Sequence, residues 1–243
     1  MRVVITRAEN EARGMAKAVE GLGCEPLVAP MLDINYPETE IDLEGVQGVV
    51  VTSSNAVRAL EKGTEIRDIP LYCVGPQSRK NAEAAGFINV SNSFGGVKNL
   101  PVFVRREADP TKGPIVYLHG GNLTGNPLQD LANMGFKVRG KKVYSAGPVD
   151  KLPDNVREAF EGSEIPEFVT LFSIRTYKLF RSAMQNEGLL PKLKDTTAVC
   201  ISPAVADFAR EIRWKKVISS EEMTGLSILD ALKNAKEAVD AAS

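Results

Sequence analysis

Residues 49–60 read VVVTSSNAVRAL and residues 169–180 read VTLFSIRTYKLF. In each, a short apolar, β-branched run breaks into hydroxylated or small residues, and an apolar-spaced stretch follows. A buried strand handing over to a helix produces this order, with the hydroxyl standing where helix caps stand. Aligned, Ser53 falls on Ser173. A second pair behaves alike: LYCVGPQSRKNAEAAG (71–86) matches AVCISPAVADFAREI (198–212), with Gly75–Pro76 over Ser202–Pro203. Residues 1–32 match the segment that begins IVYLHGGNLTGN (115–126) and runs on through KKVYS, aligned by Leu22–Gly23 over Met134–Gly135.

The rest of the chain keeps the alternation. Strands are expected at 2–6, 25–30, 48–52, 71–74 and 115–119, and again in FKVRGKKVYSA, EFVTLF, TAVCI and KKVIS. Helices are expected at 9–20, from about 55 to 60, at 76–85 and near 127–134. Short apolar strands alternating with helices of about ten residues mean open parallel α/β sheets. Two matching halves mean two like domains rather than a solenoid, whose period would be about 20–50 residues. PMLDINYPE (30–38) and KKVYSAGPVDK (141–151), rich in Pro and Gly, read as the crossings between them.

Composition bounds the function. The 243 residues suit two domains, and 43% hydrophobic with 25% charged residues is a soluble globular balance. With 30 Lys plus Arg against 31 Asp plus Glu, the formal net charge is −1. No global attraction to nucleic acid or anionic membrane follows. The start MRVVITRAENE has no apolar core of a signal peptide, and no run approaches the length of a membrane span. Cys24, Cys73 and Cys200 are scattered, as reduced core thiols of a cytoplasmic protein are.

In parallel α/β sheets, ligands bind where strands end and helices begin. Those junctions carry Thr6–Arg7, Thr52–Ser53–Ser54, Val74–Gly75–Pro76, Gly120–Gly121–Asn122, Ser173 and Ser202–Pro203. Each alone is an ordinary cap. As a set, helix starts with free N–H groups would bind several carboxylates or phosphates without a basic surface. A serine hydrolase is excluded, because the single His119 is accompanied by no G-x-S-x-G. Clusters of His and Cys for a metal are lacking. GGNLTG (120–125) has phosphate-loop spacing, but Asn126–Pro127 stand where Lys and Ser or Thr belong.

The succession of Thr6–Arg7, VVVTSSNAV, YCVGPQSRKNAEAAG, HGGNL, KKVYSAG, VTLFSIRTY, CISPAVADFA and MTGLSIL resembles the uroporphyrinogen-III synthase family over almost the whole chain. The resemblance implies two flavodoxin-like or Rossmann-like parallel-sheet domains joined by a two-stranded antiparallel linker. One domain would combine residues 1–32 with 151–243, the other would be 39–140, and 33–38 with 141–150 would be the linker strands; the pattern of elements alone also allows the linear arrangement, one half-repeat after the other. It implies a lyase of tetrapyrrole (heme) biosynthesis that closes hydroxymethylbilane, a linear tetrapyrrole with eight carboxylates, with loss of water and inversion of ring D. The larger task would be shape control, so that the substituted position of ring D attacks.

The residue that such a family uses as the proton donor falls on Tyr144 of KKVYSAG, placed in the second linker strand. A phenol ionises near pH 10 and so holds its proton at neutrality; without the family, an aromatic packing residue at a domain join is the plainer reading. Carboxylate contacts would fall on Arg7, Thr52, Ser53, Gly75, Ser78, Gly121, Asn122, Ser173 and Ser202. Ala204–Val205 replaces a Thr pair common in the family, and Gly125 replaces a loop Arg. No metal or cofactor is implied. The expected protein is a cytoplasmic monomer, in transient contact at most with the enzyme that makes the bilane. The alternative of another class is a non-catalytic two-domain binding protein for a small anion.

Overall fold

A computed structural model of the chain describes residues 1–93, 96–121 and 125–241. In chain order the elements are β1 (Arg2–Ile5), α1 (Glu9–Gly21), β2 (Glu25–Val28), β3 (Leu32–Asn35), β4 (Gly48–Val51), α2 (Ser54–Gly63), β5 (Leu71–Val74), α3 (Pro76–Ala84), β6 (Val90–Ser93), α4 (Leu100–Glu107) and β7 (Ile115–His119). They continue with α5 (Pro127–Asn133), β8 (Val138–Lys142), β9 (Ser145–Pro148), α6 (Asp154–Glu161), β10 (Phe168–Leu171), α7 (Ile174–Asn186), β11 (Thr197–Cys200), α8 (Pro203–Ala209), β12 (Lys216–Ser219) and α9 (Gly225–Asp240).

The chain divides into two compact units: Met1–Asp33 with Gly147–Ser243, hereafter unit 1, and Ile34–Ala146, unit 2. Unit 1 holds a parallel sheet of order β12-β11-β10-β1-β2, and unit 2 one of order β6-β5-β4-β7-β8. β3 and β9 pair as a small antiparallel sheet. The fold class is therefore the one expected.

The repeat is a repeat of register as well as of sequence. In unit 2, Val49 pairs with Leu71 and Leu71 with Val90, while Val116 pairs with Val49 and Arg139. In unit 1, Val169 pairs with Ala198 and Ala198 with Val217, while Val4 pairs with Val169 and Leu27. Each of these positions matches its counterpart in the sequence alignment, except Val90 and Val217, which lie just beyond the aligned stretches.

The central strands are apolar throughout because both faces are covered. All four residues of β4 are buried, as are all four of β10 and of β11. Period-two alternation then splits each strand between two cores. Val49 and Val51 pack with Leu60, Leu71 and Phe87, whereas Val50 packs on the other face with Tyr72, Leu100, Tyr117 and Phe136. Val4 joins Phe160, Tyr177, Phe180 and Trp214, whereas Val3 and Ile5 meet Ile228 and Leu232 of α9.

Matching glycines stop matching helices. Gly23 (φ +73°) and Gly135 (φ +90°) end α1 and α5. The amides of Gly23 and Cys24 return to the carbonyls of Glu20 and Val19, and those of Gly135 and Phe136 to Ala132 and Leu131. This is the left-handed closure that glycine allows at no steric cost.

Three details differ from the sequence reading. FKVRGKKVYSA is two strands in two different sheets, broken at Val143–Tyr144. Val143 is buried and its amide donates to the His119 carbonyl at 2.9 Å, closing the ladder beside β7, and another sheet starts at Ser145. β6, α4 and α6 were not foreseen. VSNS of β6 is a polar edge strand with one neighbour, so neither alternation nor a long apolar run marks it. The helix after Ser53 also runs on to Gly63.

The three cysteines are free and buried, and burial pushes the Cys73 and Cys200 thiols up to about 12. Such thiols are inert packing residues. Among the described residues no helix is long and apolar enough to cross a membrane.

Candidate functional site

In unit 2 the chain runs from β4 outward through β5 and β6, then returns to β7 and β8 on the other side. The two directions of travel leave a crevice above the carboxyl ends of β4 and β7, the place where such sheets take ligands. Thr52 and Ser53 follow β4, and His119 and Gly120 end and follow β7.

Ser53 has extended backbone and caps α2, its Oγ accepting the Ala56 amide at 3.2 Å. The same Oγ lies 3.0 Å from the Tyr144 hydroxyl. Tyr144 reaches it from the break between β8 and β9, not from within a linker strand as the sequence reading had it. Gly120 makes this approach possible. A Cβ there would stand 2.3 Å from Cε2 of the Tyr144 ring and 2.9 Å from its hydroxyl oxygen.

Around this pair is a belt of hydroxyls and rings. Thr52 Oγ1 is 3.2 Å from the Tyr117 hydroxyl, and Tyr36 donates to Asn55 Oδ1 at 2.6 Å. The rings of Tyr36 and Tyr144 are 6.3 Å apart and tilted by 40°. Burial pushes the Tyr117 phenol above its ordinary value, with the Thr52 hydrogen bond acting against it.

His119 Nδ1 accepts the Gly121 amide at 3.0 Å, so the neutral ring carries its proton on Nε2. Burial, and then the charge of Lys142, hold its pKa below the usual imidazole value. It remains neutral at pH 7 and organises the loop. Gly121 (φ +97°) has a backbone that other residues rarely adopt. Asn122, named above as a contact, lies outside the described residues. Gly75 (φ +84°) precedes Pro76 at the start of α3, and Ser78 is buried in that helix's first turn.

In unit 1 the matching crevice lies above β10 and β1. Ser173 caps α7 by accepting the Thr176 amide at 3.0 Å, and its hydroxyl also contacts Thr176 Oγ1. Ser202 caps α8, accepting from Val205 at 3.4 Å. Thr6 is buried and donates to the Thr170 carbonyl at 2.7 Å, which makes it a brace between β1 and β10. Arg7 pairs with Glu11 at 2.7 Å, and its guanidinium lies 4.6 Å from the centre of the Phe172 ring.

Several strand-end residues escaped the sequence reading. Lys142 ends β8 and lies beside Gly121, a cation that a single strand over FKVRGKKVYSA would not place at a strand end. Thr224 caps α9 by accepting the Ser227 amide, while the Ser227 hydroxyl accepts the Glu222 amide in return. The T-x-x-S spacing of this reciprocal cap was present in MTGLSIL. Gly120, Tyr117 and Tyr36 carried no local signal.

A cavity of about 670 Å³ in unit 2 is lined by Tyr36, Glu38, Glu40, Lys62, Gly63 and Val143 among others. It includes none of Thr52, Ser53 and Tyr144 and is a separate feature. Among the described residues no group of three or more His, Cys, Asp or Glu could hold a metal ion.

Comparison with known proteins adds the following. The family model described as uroporphyrinogen-III synthase HemD matches residues 13–230. Among solved structures, a uroporphyrinogen-III synthetase from Helicobacter pylori is 17% identical over 97% of this chain and 100% of that chain, with a TM-score of 0.64. A mutant uroporphyrinogen III synthase from Thermus thermophilus is 18% identical over 98% of this chain and 99% of that chain, with a TM-score of 0.53. At such identities the two structures speak for the fold. No curated protein matches the chain.

Proposed function

This chain belongs to the uroporphyrinogen-III synthase family, of tetrapyrrole (heme) biosynthesis, and we propose that it closes hydroxymethylbilane to uroporphyrinogen III as a lyase that removes water. Tyr144 is the proton donor to the departing hydroxyl. The observation that carries this reading is the Tyr144 hydroxyl held 3.0 Å from Ser53 at the strand-order reversal of unit 2. A phenol placed there over a glycine serves chemistry better than packing, because its polar end is the end that is positioned.

The carboxylates of the bilane are met by helix starts. The hydroxyls of Ser53, Ser173 and Ser202 each cap a helix by accepting one amide, which leaves the neighbouring backbone amides of those helix starts for carboxylates. Thr52, Ser78 and the Gly75 amide complete the set, with Gly121 and Asn122 as the contacts after β7 and Arg7 as the cation of unit 1. Each hydrogen bond to a carboxylate contributes about 1.5–3 kcal/mol, so no strongly basic surface is needed. That agrees with a net charge of −1. The protein works as a cytoplasmic monomer on this small-molecule substrate, in transient contact with the enzyme that supplies it.

Incubation with freshly made hydroxymethylbilane tests the function. Faster consumption than the uncatalysed control, with the III isomer as product after oxidation to the porphyrin, is expected. A rate and isomer ratio equal to the control would leave the non-catalytic anion-binding protein as the reading.

A further inference from the structure

We propose that Ser53 is a positioning residue for Tyr144: its hydroxyl donates to the phenol oxygen, turns the phenolic proton outward to the substrate and ties the phenolate formed on proton transfer to the amino end of α2. This deepens the reading of Tyr144 as proton donor and rests on it.

The hydrogen-bond inventory carries the argument. The Ser53 hydroxyl has one proton and two lone pairs. One lone pair accepts the Ala56 amide at 3.2 Å. Among the described residues the other partner of that oxygen is the Tyr144 hydroxyl at 3.0 Å. Either oxygen of this pair could donate, and the helix decides between them. Ser53 stands at the start of the ten-residue α2, where unpaired N–H groups create a positive end. A serine polarised by that end donates, and the oxygen facing it accepts. Tyr144 then keeps its own proton for a group on its other side. Gly120 fixes the ring's place, since any side chain there would collide with it.

Tyr144 gives its proton to the hydroxyl of the bilane, and the carbon–oxygen electron pair leaves with that oxygen as water. The lone pair of the pyrrole nitrogen, pushed through the ring, makes a carbon–nitrogen double bond within the ring and a carbon–carbon double bond to the methylene that lost its oxygen, leaving a cationic azafulvene. Negative charge is left on the phenol oxygen, where the Ser53 proton and the α2 amino end stabilise it. The proton released after ring closure restores the phenol. Ser53 touches neither substrate nor leaving group with its hydroxyl in this arrangement, so its contribution to holding carboxylates falls to its backbone amide.

The matched serine of unit 1 shows that the cap alone does not produce this. Ser173 has the same extended backbone and the same cap, but its hydroxyl meets Thr176 rather than a phenol.

The test is a double-mutant cycle on the full chain with hydroxymethylbilane as substrate. Ser53→Ala is expected to lower kcat by about tenfold to a hundredfold, the worth of one hydrogen bond to a developing charge, with KM changed less than about threefold. In the Tyr144→Phe background the same change is expected to do nothing more to kcat. Ser53→Thr, which keeps the cap and the hydroxyl, is expected to restore kcat to within about threefold of the parent. Because Ser53→Ala also removes a cap, Ser53→Asp serves as the second variant. Aspartate caps α2 equally well but has no proton to give, so kcat should fall although the helix is kept. Equal losses from Ser53→Ala in both backgrounds, or a parental kcat in Ser53→Asp, would overturn the positioning role while leaving Tyr144 in place. A parental kcat in Tyr144→Phe alone would instead remove the proton donor itself, whatever Ser53 does.

Discussion

At matched positions, unit 2 carries Thr52, His119 and Tyr144 where unit 1 carries Phe172, Arg7 and Leu32. The backbone beneath them is the same, with equal registers and with Ser53 and Ser173 capping equivalent helices. In unit 1 the crevice above the strand ends is occupied by the protein's own groups, Arg7 lying over Phe172 and paired to Glu11. In unit 2 the equivalent arginine is a neutral histidine tied into its own loop, the phenylalanine is a threonine, and a phenol enters from Leu32's position. One repeat thus supplies two crevices on the same topology, and side chains alone put an arginine over a phenylalanine ring in one and line the other with hydroxyls, a phenol and a neutral histidine. A fold that supplies helix starts twice needs to place its proton donor only once.

The largest expected effect comes from removing the group that distinguishes unit 2. Tyr144→Phe should lower turnover by about 10²–10⁴, the range of a positioned acid, with melting close to the parent and the product still the III isomer. Turnover and isomer ratio by chromatography check this together. A normal rate of consumption that yields mostly the I isomer would show spontaneous closure overtaking the enzyme.

Next is Gly120→Ala. Its Cβ would stand 2.3 Å from the Tyr144 ring, so the ring must move. A displacement near 1 Å costs about 10²-fold in rate, and a comparable fall in kcat is expected. The counterpart in unit 1 is already alanine, Ala8, and Ala8→Gly should leave kcat alone. Should both changes be silent, the contrast between the crevices would lose its steric basis.

Arg7→Ala probes the other crevice. It removes a partly exposed ion pair and a cation–ring contact, expected to cost about 0.5–1 kcal/mol in denaturant unfolding. KM for the bilane should rise by up to about tenfold with kcat unchanged. An unchanged KM would make Arg7 a surface ion pair with no part in binding. Ser173→Ala belongs beside it: loss of the cap should cost about 1 kcal/mol, without the fall in kcat expected of Ser53→Ala.

The smallest effect is on pH dependence. His119 has its pKa lowered by burial and by Lys142. Unfolding restores the ordinary value, so below about 6.5 the unfolded chain binds more protons than the folded one. Stability therefore falls as pH drops through that window, when protonation of Nδ1 also takes away the acceptor of the Gly121 amide. Thermal melts at pH 7 and pH 5 should show a larger drop for the parent than for His119→Gln. Equal drops would mean that the histidine is not part of the folded-state balance.

Much of this was legible in the sequence. The alternation of buried strands and helices, the twofold repeat and the caps at Ser53, Ser173 and Ser202 could be read because each is a local pattern: burial on both faces makes a strand apolar, and an orphan amide at a helix start selects a hydroxyl. The small antiparallel sheet and the expected family were reached as well. β6 was missed because an edge strand with a polar face needs no apolar run. The break at Val143–Tyr144 was missed because residues of two adjoining strands have the same propensities whichever sheet they join. Lys142 was hidden with it.

The residue types present at each strand end were thus determined by the sequence alone, since a cap or a glycine turn depends only on near neighbours. Which of those ends meet was decided by the tertiary structure. Ser53 and Tyr144 stand 91 residues apart in the chain and 3.0 Å apart in space. That distance follows from β7 being laid beside β4, and β8 beside β7, after an outward excursion through β5 and β6. Gly120 shows the same division: no feature of HGGN says why its first glycine is a glycine, and only the tyrosine ring packed against it supplies the reason.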